Sequence, residues 1–349
     1  MRKRQRLDSV LEILQEDGGQ RVVSTRELAE RLDVSEMTVR RDLSELAQEG
    51  LIQRVHGGAT SSHQRGMALG QRGQVGIVLT SMGYKYTDPF FSAVLQGADR
   101  KLQESGYRIG YILSYADIYT KEQARVLLNT NSVDALLMIG TRLSEGVEYL
   151  KQNVRVLVTT TNSLGPEHDA ILMDGCGGIR TLVNHLVGLG RQRLAFITGY
   201  NDSRHQGFVE GVRANHLPDE PELQLALDEQ DSQDWTPQMG HRGTAMLMNL
   251  KKPPDAIVCA SDRLAFGAMQ WLHQNGFRVP EDISVTGYDN IPDSEFTIPA
   301  LTTVHVYKEL LGALAAERAV RRIENPNEVP LQIVTPTFAI LRQSCGAAE

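Results

Sequence analysis

"PPDAIVCASDRLAFGAMQWLHQNGFRVPEDISVTGYDN", residues 253–290, holds two short apolar runs with a helical stretch between them. "DAIVCAS" and "DISVTGY" are of buried-strand type, short and continuously apolar, and Leu264 to Gln274 carries the helical pattern. Strands that alternate with helices imply a parallel sheet with both faces covered.

The same alternation extends back to residue 74. "QVGIVLT" is followed by a Gly/Asp/Pro loop and a helix from Phe91 to Ser105, with Val94, Leu95, Ala98 and Leu102 on one face. "YRIGYILS" precedes a helix through Ala124 to Leu128, "VDALLMIG" one near Val147 to Leu150, and "RLAFITG" one from Gln206 to Val212, with "RVLVTTT" as a further strand. The fold class is α/β and doubly wound. One sheet rarely holds so many units, so two lobes are expected.

In such folds a ligand sits in the crevice outside the carboxyl ends of the strands, so the residues that follow each strand are the informative ones. These are Asp88, Pro89, Phe90 and Phe91, then Ser114 and Tyr115, then Thr141 and Arg142, then Asn162. The later strands contribute Tyr200 to Arg204, Ser261 and Asp262, and Asp289 and Asn290. Carboxylates, hydroxyls, amides and an arginine near aromatic rings suit a carbohydrate. Ser, Asp and Asn at these places serve equally as helix caps, and the residues alone leave both readings open.

A different pattern occupies the first sixty residues. Leu7, Val10, Leu11 and Leu14 form one helical stripe that ends at Gly18-Gly19. Ser24-Thr25-Arg26-Glu27 is a capping box opening a second helix with Leu28, Ala29 and Leu32 on its apolar face. Asp33-Val34 turns into Ser35, an N-cap, and "VSEMTVRRDLSEL" (34–46) makes a third helix with Val39, Leu43 and Leu46 inward. Met37, Thr38, Arg40, Arg41 and Ser44 then face outward, where Arg41 can pair with Glu45 or meet the DNA major groove. "LIQRVHGGAT" reads as a hairpin turning at Gly57-Gly58, with Arg54 and His56 placed for phosphates.

As a set, "LAERLDVSEMTVRRDLSELAQEGLIQRVHGGA" resembles the DeoR-type winged helix-turn-helix, from near the N-terminus to Ala59. The resemblance implies that Ser35, Met37, Thr38, Arg40, Arg41, Ser44, Arg54 and His56 form a DNA-binding face for a double-stranded operator. "TSSHQRGMALGQRG", residues 60–73, is polar and weakly periodic and reads as a linker. From Gln74 to Gly346 the chain looks like the sensor of the lactose-repressor (LacI/GalR) family. The segments that carry this likeness are "DPFFSAVLQGADRKLQESGY", "MDGCGGIRTLVNHLVGLGRQRLAFITG", "SRHQGF", the 253–290 stretch with its continuation "PALTTV", and "FAILRQSCG". A two-lobed periplasmic-binding-protein-like fold is implied, with lobes over 74–162 plus 292–322 and 163–291 plus 323–349. The implied effector contacts are Asp174, Arg204 and Asp289, with Phe91 in the opposite lobe and Trp235 placed to lie against a pyranose.

Two departures from that family stand out. Ser261-Asp262 replaces its usual Asn-Asp, so one sugar contact is expected to be shorter or bridged by water. Its own headpiece and minor-groove hinge helix are replaced by the DeoR-type module and a glycine-bearing linker. DeoR-type proteins commonly sense phosphorylated sugars. Asp88, Asp174 and Asp289 would repel a phosphate, which points to a neutral sugar or polyol, with a sugar phosphate or nucleoside as the alternative.

Composition narrows the remaining classes. The 349 residues are 41% hydrophobic with net charge −7, so DNA binding rests on a local patch, and Arg2, Lys3, Arg4 and Arg6 supply one. No signal peptide or membrane-length apolar run is read, so a cytoplasmic protein is expected rather than a solute receptor. Cys176, Cys259 and Cys345 lack metal-ligand spacing and are read as reduced. The first loop, "TSMGYKYTDPF", lacks G-x-G-x-x-G, and neither G-x-S-x-G nor H-E-x-x-H occurs. The expectation is a homodimeric, sugar-responsive repressor, with no enzymatic activity, cofactor, metal or membrane partner and no tetramerising tail.

Overall fold

The computed structural model describes residues 3–15, 22–48, 52–55, 57–61, 72–79, 88–140, 142–227 and 235–346. The chain forms two compact units, 1–73 and 74–349. No helix among the described residues is long and apolar enough to cross a membrane.

The first unit contains α1 (Lys3–Gln15), β1 (Val23–Ser24), α2 (Thr25–Leu32), α3 (Glu36–Gln48), β2 (Ile52–Val55) and β3 (Gly58–Ser61). Val10, Leu14, Leu28, Val39, Leu43, Leu46 and Ile52 make its core, which confirms the apolar faces read for all three helices. Ser24 caps α2 by accepting from the Glu27 amide at 3.1 Å, and Asp33 ends the helix in the left-handed region at φ 51°. The strands form an antiparallel sheet in the order β1, β3, β2, with Val55 opposite Gly58. Gly58 admits no side chain, since a Cβ there would stand 2.3 Å from the Val23 carbonyl oxygen. Gly18-Gly19 and most of the expected linker lie outside the described residues. Its ends are strand: β3 runs to Ser61, and β4 starts at Gly73.

In the second unit the chain runs β4 (Gly73–Leu79), α4 (Pro89–Glu104), β5 (Tyr107–Ser114), α5 (Lys121–Thr130), β6 (Ala135–Ile139), α6 (Glu145–Asn153), β7 (Leu157–Thr160) and β8 (Asp169–Met173). There follow α7 (Gly175–Gly188), β9 (Leu194–Thr198), α8 (Ser203–Ala214), β10 (Gln224–Ala226), α9 (Pro237–Met248), β11 (Ala256–Cys259), α10 (Asp262–Gln274) and β12 (Ser284–Thr286). Last come β13 (Thr303–Val306), α11 (Lys308–Glu324), β14 (Gln332–Thr335) and β15 (Thr337–Ile340). One lobe is a six-stranded sheet ordered β14, β8, β7, β6, β4, β5; the other is a four-stranded sheet ordered β10, β9, β11, β12. Every residue of β6, β7, β9 and β11 is buried, as expected of parallel strands covered on both faces.

The lobe boundaries differ from those expected. Residues 169–173 and 332–335 pair within the six-stranded sheet of the first lobe. The β13–β15 pair adjoins the second lobe through isolated bridges Thr286–Thr302 and Asp289–His305, so residues up to 306 stay there. Among the described residues the chain thus crosses between lobes three times, after Met173, after Val306 and after Thr335. Asp169, at the start of β8, joins α11 to the residue before β14: its Oδ1 accepts from Arg318 Nε at 2.8 Å and from the Leu331 amide at 2.9 Å, with both charged side chains buried.

Candidate functional site

Side chains from both lobes enclose a cavity in the second unit. It holds about 690 Å³ of space, with the open mouth of the cleft included. From the first lobe it is lined by Asp88, Phe90, Phe91, Gly140, Thr161 and Met173, and from the second by Tyr200, Arg204, Trp235, Ser261, Arg263, Asp289 and Ile291.

Asp88 caps α4. Its Oδ1 accepts from the amides of Phe90 and Phe91 at 2.9 and 3.2 Å, and its Oδ2 accepts from Arg263 Nη1 at 2.8 Å across the cleft. Capping and cleft-lining, which the sequence presented as alternatives, are here one role. Arg204 is buried and bound to its neighbour Asp202, with Nη2 2.5 Å from Oδ2, and donates through Nη1 to the Ala260 carbonyl at 2.9 Å. Burial acts to lower its pKa, yet the Asp202 charge prevails and holds it above the usual arginine value. Its guanidinium also lies 4.2 Å from the Trp235 ring centroid, so one face of that indole is covered by protein.

Asp289 stands on a turn with φ 116°, and Asn290 follows at φ 50°, a conformation uncommon for residues with side chains. The turn is held from behind. Lys308 Nζ donates to the carbonyls of Asp289 and Asn290 at 2.6 and 3.0 Å, while Asp262 accepts from the Ile291 amide at 2.9 Å and the Thr303 hydroxyl at 2.5 Å. Burial raises the Asp289 carboxyl well above the usual carboxylate range, and the neighbouring Asp262 raises it further. Asp262 itself is fully buried and supports the site without lining it.

Of the other expected contacts, Phe91, Trp235 and Ser261 line the cavity, and Ser261 also caps α10 by accepting from the Leu264 amide at 3.3 Å. Ser114 does not line it: its amide and hydroxyl both donate to Asp117 at a local turn. Asp174 is not among the lining residues and caps α7, its Oδ1 accepting from the Gly177 amide at 2.7 Å. Arg142 lies over the Tyr200 ring, 3.9 Å from its centroid, and is not among the lining residues. Thr141 lies outside the described residues. Gly140, Thr161, Met173, Arg263 and Ile291 escaped the sequence reading, while Phe90 and Tyr200 were marked only by their place after strands.

In the first unit α3 presents Met37, 76% exposed, with Arg40 and Arg41 exposed beside it. Arg40 pairs loosely with Glu36 at 3.6 Å. Glu45 pairs with Lys3 at 2.7 Å, not with Arg41 as its spacing allowed. Asp42, the next residue, points inward to Arg6 at 2.5 Å and ties α1 to α3. Ser35 accepts from the Thr38 amide at 3.2 Å, and the two hydroxyls lie 2.9 Å apart. Arg54 donates to Ser44 at 2.8 Å, joining hairpin to helix, and His56 lies outside the described residues.

This geometry agrees with comparison to known proteins. Residues 6–65 match the family model of a DeoR-like helix-turn-helix domain, and residues 183–345 that of a periplasmic binding protein-like domain. The chain joins these two domains. The chain aligns with the HTH-type transcriptional repressor PurR of Glaesserella parasuis serovar 5 (strain SH0165), 27% identical over 79% of this chain and 80% of that one. The PurR of Photorhabdus laumondii subsp. laumondii is 26% identical, over 77% and 78%. Among solved structures, the transcriptional regulator CelR in complex with cellobiose superposes with TM-score 0.70 at 24% identity, covering 88% of this chain and 90% of that one. A LacI family regulator from Enterococcus faecium with bound ribose gives TM-score 0.64 at 25% identity, covering 78% and 98%. These relatives are transcriptional regulators, and the two-lobed binding-protein-like fold is shared with the solved structures.

Proposed function

We propose that this chain is a sequence-specific transcriptional regulator, acting as a repressor, whose grip on a double-stranded operator is set by a small neutral sugar or polyol bound between the lobes of its sensor. The observation that carries the reading is the cavity itself: Asp88 and Phe91 from one lobe meet Arg204, Trp235 and Asp289 from the other, in a chain that also bears α3 with its exposed arginines. Arg263 and Arg204 each already hold a carboxylate, Asp88 and Asp202, so the lining offers little net positive charge to a phosphate. Carboxylates and guanidinium groups in this setting take vicinal hydroxyls well. The ligands bound in these solved structures, cellobiose and ribose, are of that class.

A ligand acts on DNA only by favouring one state of the sensor, and binding to two operator half-sites calls for a homodimer. A second reading, a flat polar heterocycle such as a nucleoside, is supported by the rings of Phe90, Phe91, Tyr200 and Trp235 along the cavity. A thermal-shift screen of the purified protein against neutral sugars, polyols, nucleosides and sugar phosphates separates these readings, because a ligand that binds the native state raises the melting temperature. Stabilisation by sugars or polyols is expected; stabilisation by nucleosides alone would favour the second reading, and by phosphates alone would refute the charge argument.

A further inference from the structure

Tyr200 leaves β9 in the second lobe, yet its partners come largely from the first. The Arg142 guanidinium, on the segment after β6, lies 3.9 Å from its ring centroid, and Asn162 Nδ2, after β7, lies 3.4 Å from its hydroxyl. On the cavity side its edge meets Trp235, centroids 5.2 Å apart at 64°, and Trp235 carries Arg204 at 4.2 Å. Tyr200, Trp235 and Arg204 line the cavity, whereas Arg142 does not.

We propose that Arg142 is a positioning residue for the effector. By lying on Tyr200 it holds the two lobes together and fixes the Tyr200–Trp235 corner against which a ligand rests. The contact joins opposite lobes, so it exists only when they are together, and it shifts the balance of open and closed forms by its own strength. A planar, weakly hydrated guanidinium suits a ring face, whereas the compact, strongly hydrated ammonium of lysine suits it less. The proposal rests on the reading of the cavity as an effector cleft, but its test needs no effector.

The chain has two tryptophans, so Trp271→Phe leaves Trp235 as the sole indole reporter in the full-length protein. Acrylamide quenching of that reporter measures how open the corner is. Arg142→Ala is expected to raise the quenching constant by about twofold or more as the closed population falls, Arg142→Lys to restore part of the protection, and Arg142→Ala to add nothing once Tyr200→Leu is present. Arg142→Gln gives the same comparison should the alanine variant fold poorly. Quenching unchanged in a folded Arg142 variant, or full additivity with Tyr200→Leu, overturns the proposal. Failure of every sugar to stabilise the protein would refute the effector reading and leave this result standing.

Discussion

Asp88 and Arg263 meet across the cleft at 2.8 Å while the other carboxylate oxygen of Asp88 caps α4, so one side chain both starts a helix and joins two lobes. Asp88→Asn keeps a good cap and removes the charge. We expect effector affinity to fall about 5–30-fold, the equivalent of about 1–2 kcal/mol for a charge-assisted hydrogen bond, with little change in melting temperature. Calorimetric titration at low and high salt checks it; parent and variant affinities that coincide at both would show that the ion pair does not contribute to closure.

On the DNA side, Arg41→Ala should weaken operator binding by about 1–3 kcal/mol and leave ligand binding in the sensor unchanged. Arg54→Ala, which also releases Ser44, should lower the salt dependence of operator binding by about one phosphate contact. Fluorescence anisotropy over a salt series measures both, and an unaltered Arg41→Ala isotherm would move the reading face off α3.

Asp42, the inward-facing neighbour of Arg41, sets a stability prediction. Asp42 is 1% exposed and its removal leaves the part-buried Arg6 guanidinium without that partner, so Asp42→Ala should cost about 1–2 kcal/mol. Replacing both partners by apolar residues should recover most of the loss. Hydrogen exchange of residues 36–48 in the intact chain reads the effect, and protection equal to the parent's in Asp42→Ala would show that the pair is dispensable.

Burial pushes the Asp262 carboxyl up to about 7, against the pull of its bonds from Thr303 and Ile291. An acid whose pKa is higher folded than unfolded binds a proton more tightly in the folded state. Its contribution to stability is therefore full below the unfolded value, about 4, falls as pH rises towards 7, and is level above that. Asp262→Asn should flatten this slope. Urea unfolding at pH 5 and pH 8 decides, and parallel pH profiles for parent and variant would place the titration elsewhere; Asp289 shifts in the same direction and supplies the residual slope.

Strand and helix types were legible along most of the chain because burial on both faces leaves a continuous apolar signature, as in "VDALLMIG" and "RLAFITG". "DAILM" of β8 was passed over, and with it the lobe boundary, since which sheet a strand joins is decided by distant pairing such as Ile333 with Ile171. At the site, Asp88, Phe91, Arg204, Trp235, Ser261 and Asp289 were found from their place after strands or from resemblance. Asp174 and Ser114 have the same local signature as those residues, yet their oxygens go to backbone and turn. A capping carboxylate and a binding carboxylate differ in orientation, which spacing does not encode. Arg263 and Met173 were invisible for a related reason: an arginine in a first helical turn and a methionine at a strand end are ordinary in either role.

The three passages between lobes, after Met173, Val306 and Thr335, have a mechanical meaning. One strap lets two bodies swivel freely, and two allow a range of twists about the line that joins them. Here two of the three, after Met173 and after Thr335, leave from paired residues of adjacent strands and so run side by side, which resists twist and leaves bending as the softer motion. The second unit is thereby reduced to something near a single coordinate, the angle of the cleft, and under the proposed function any effect of a bound ligand is written in that one variable.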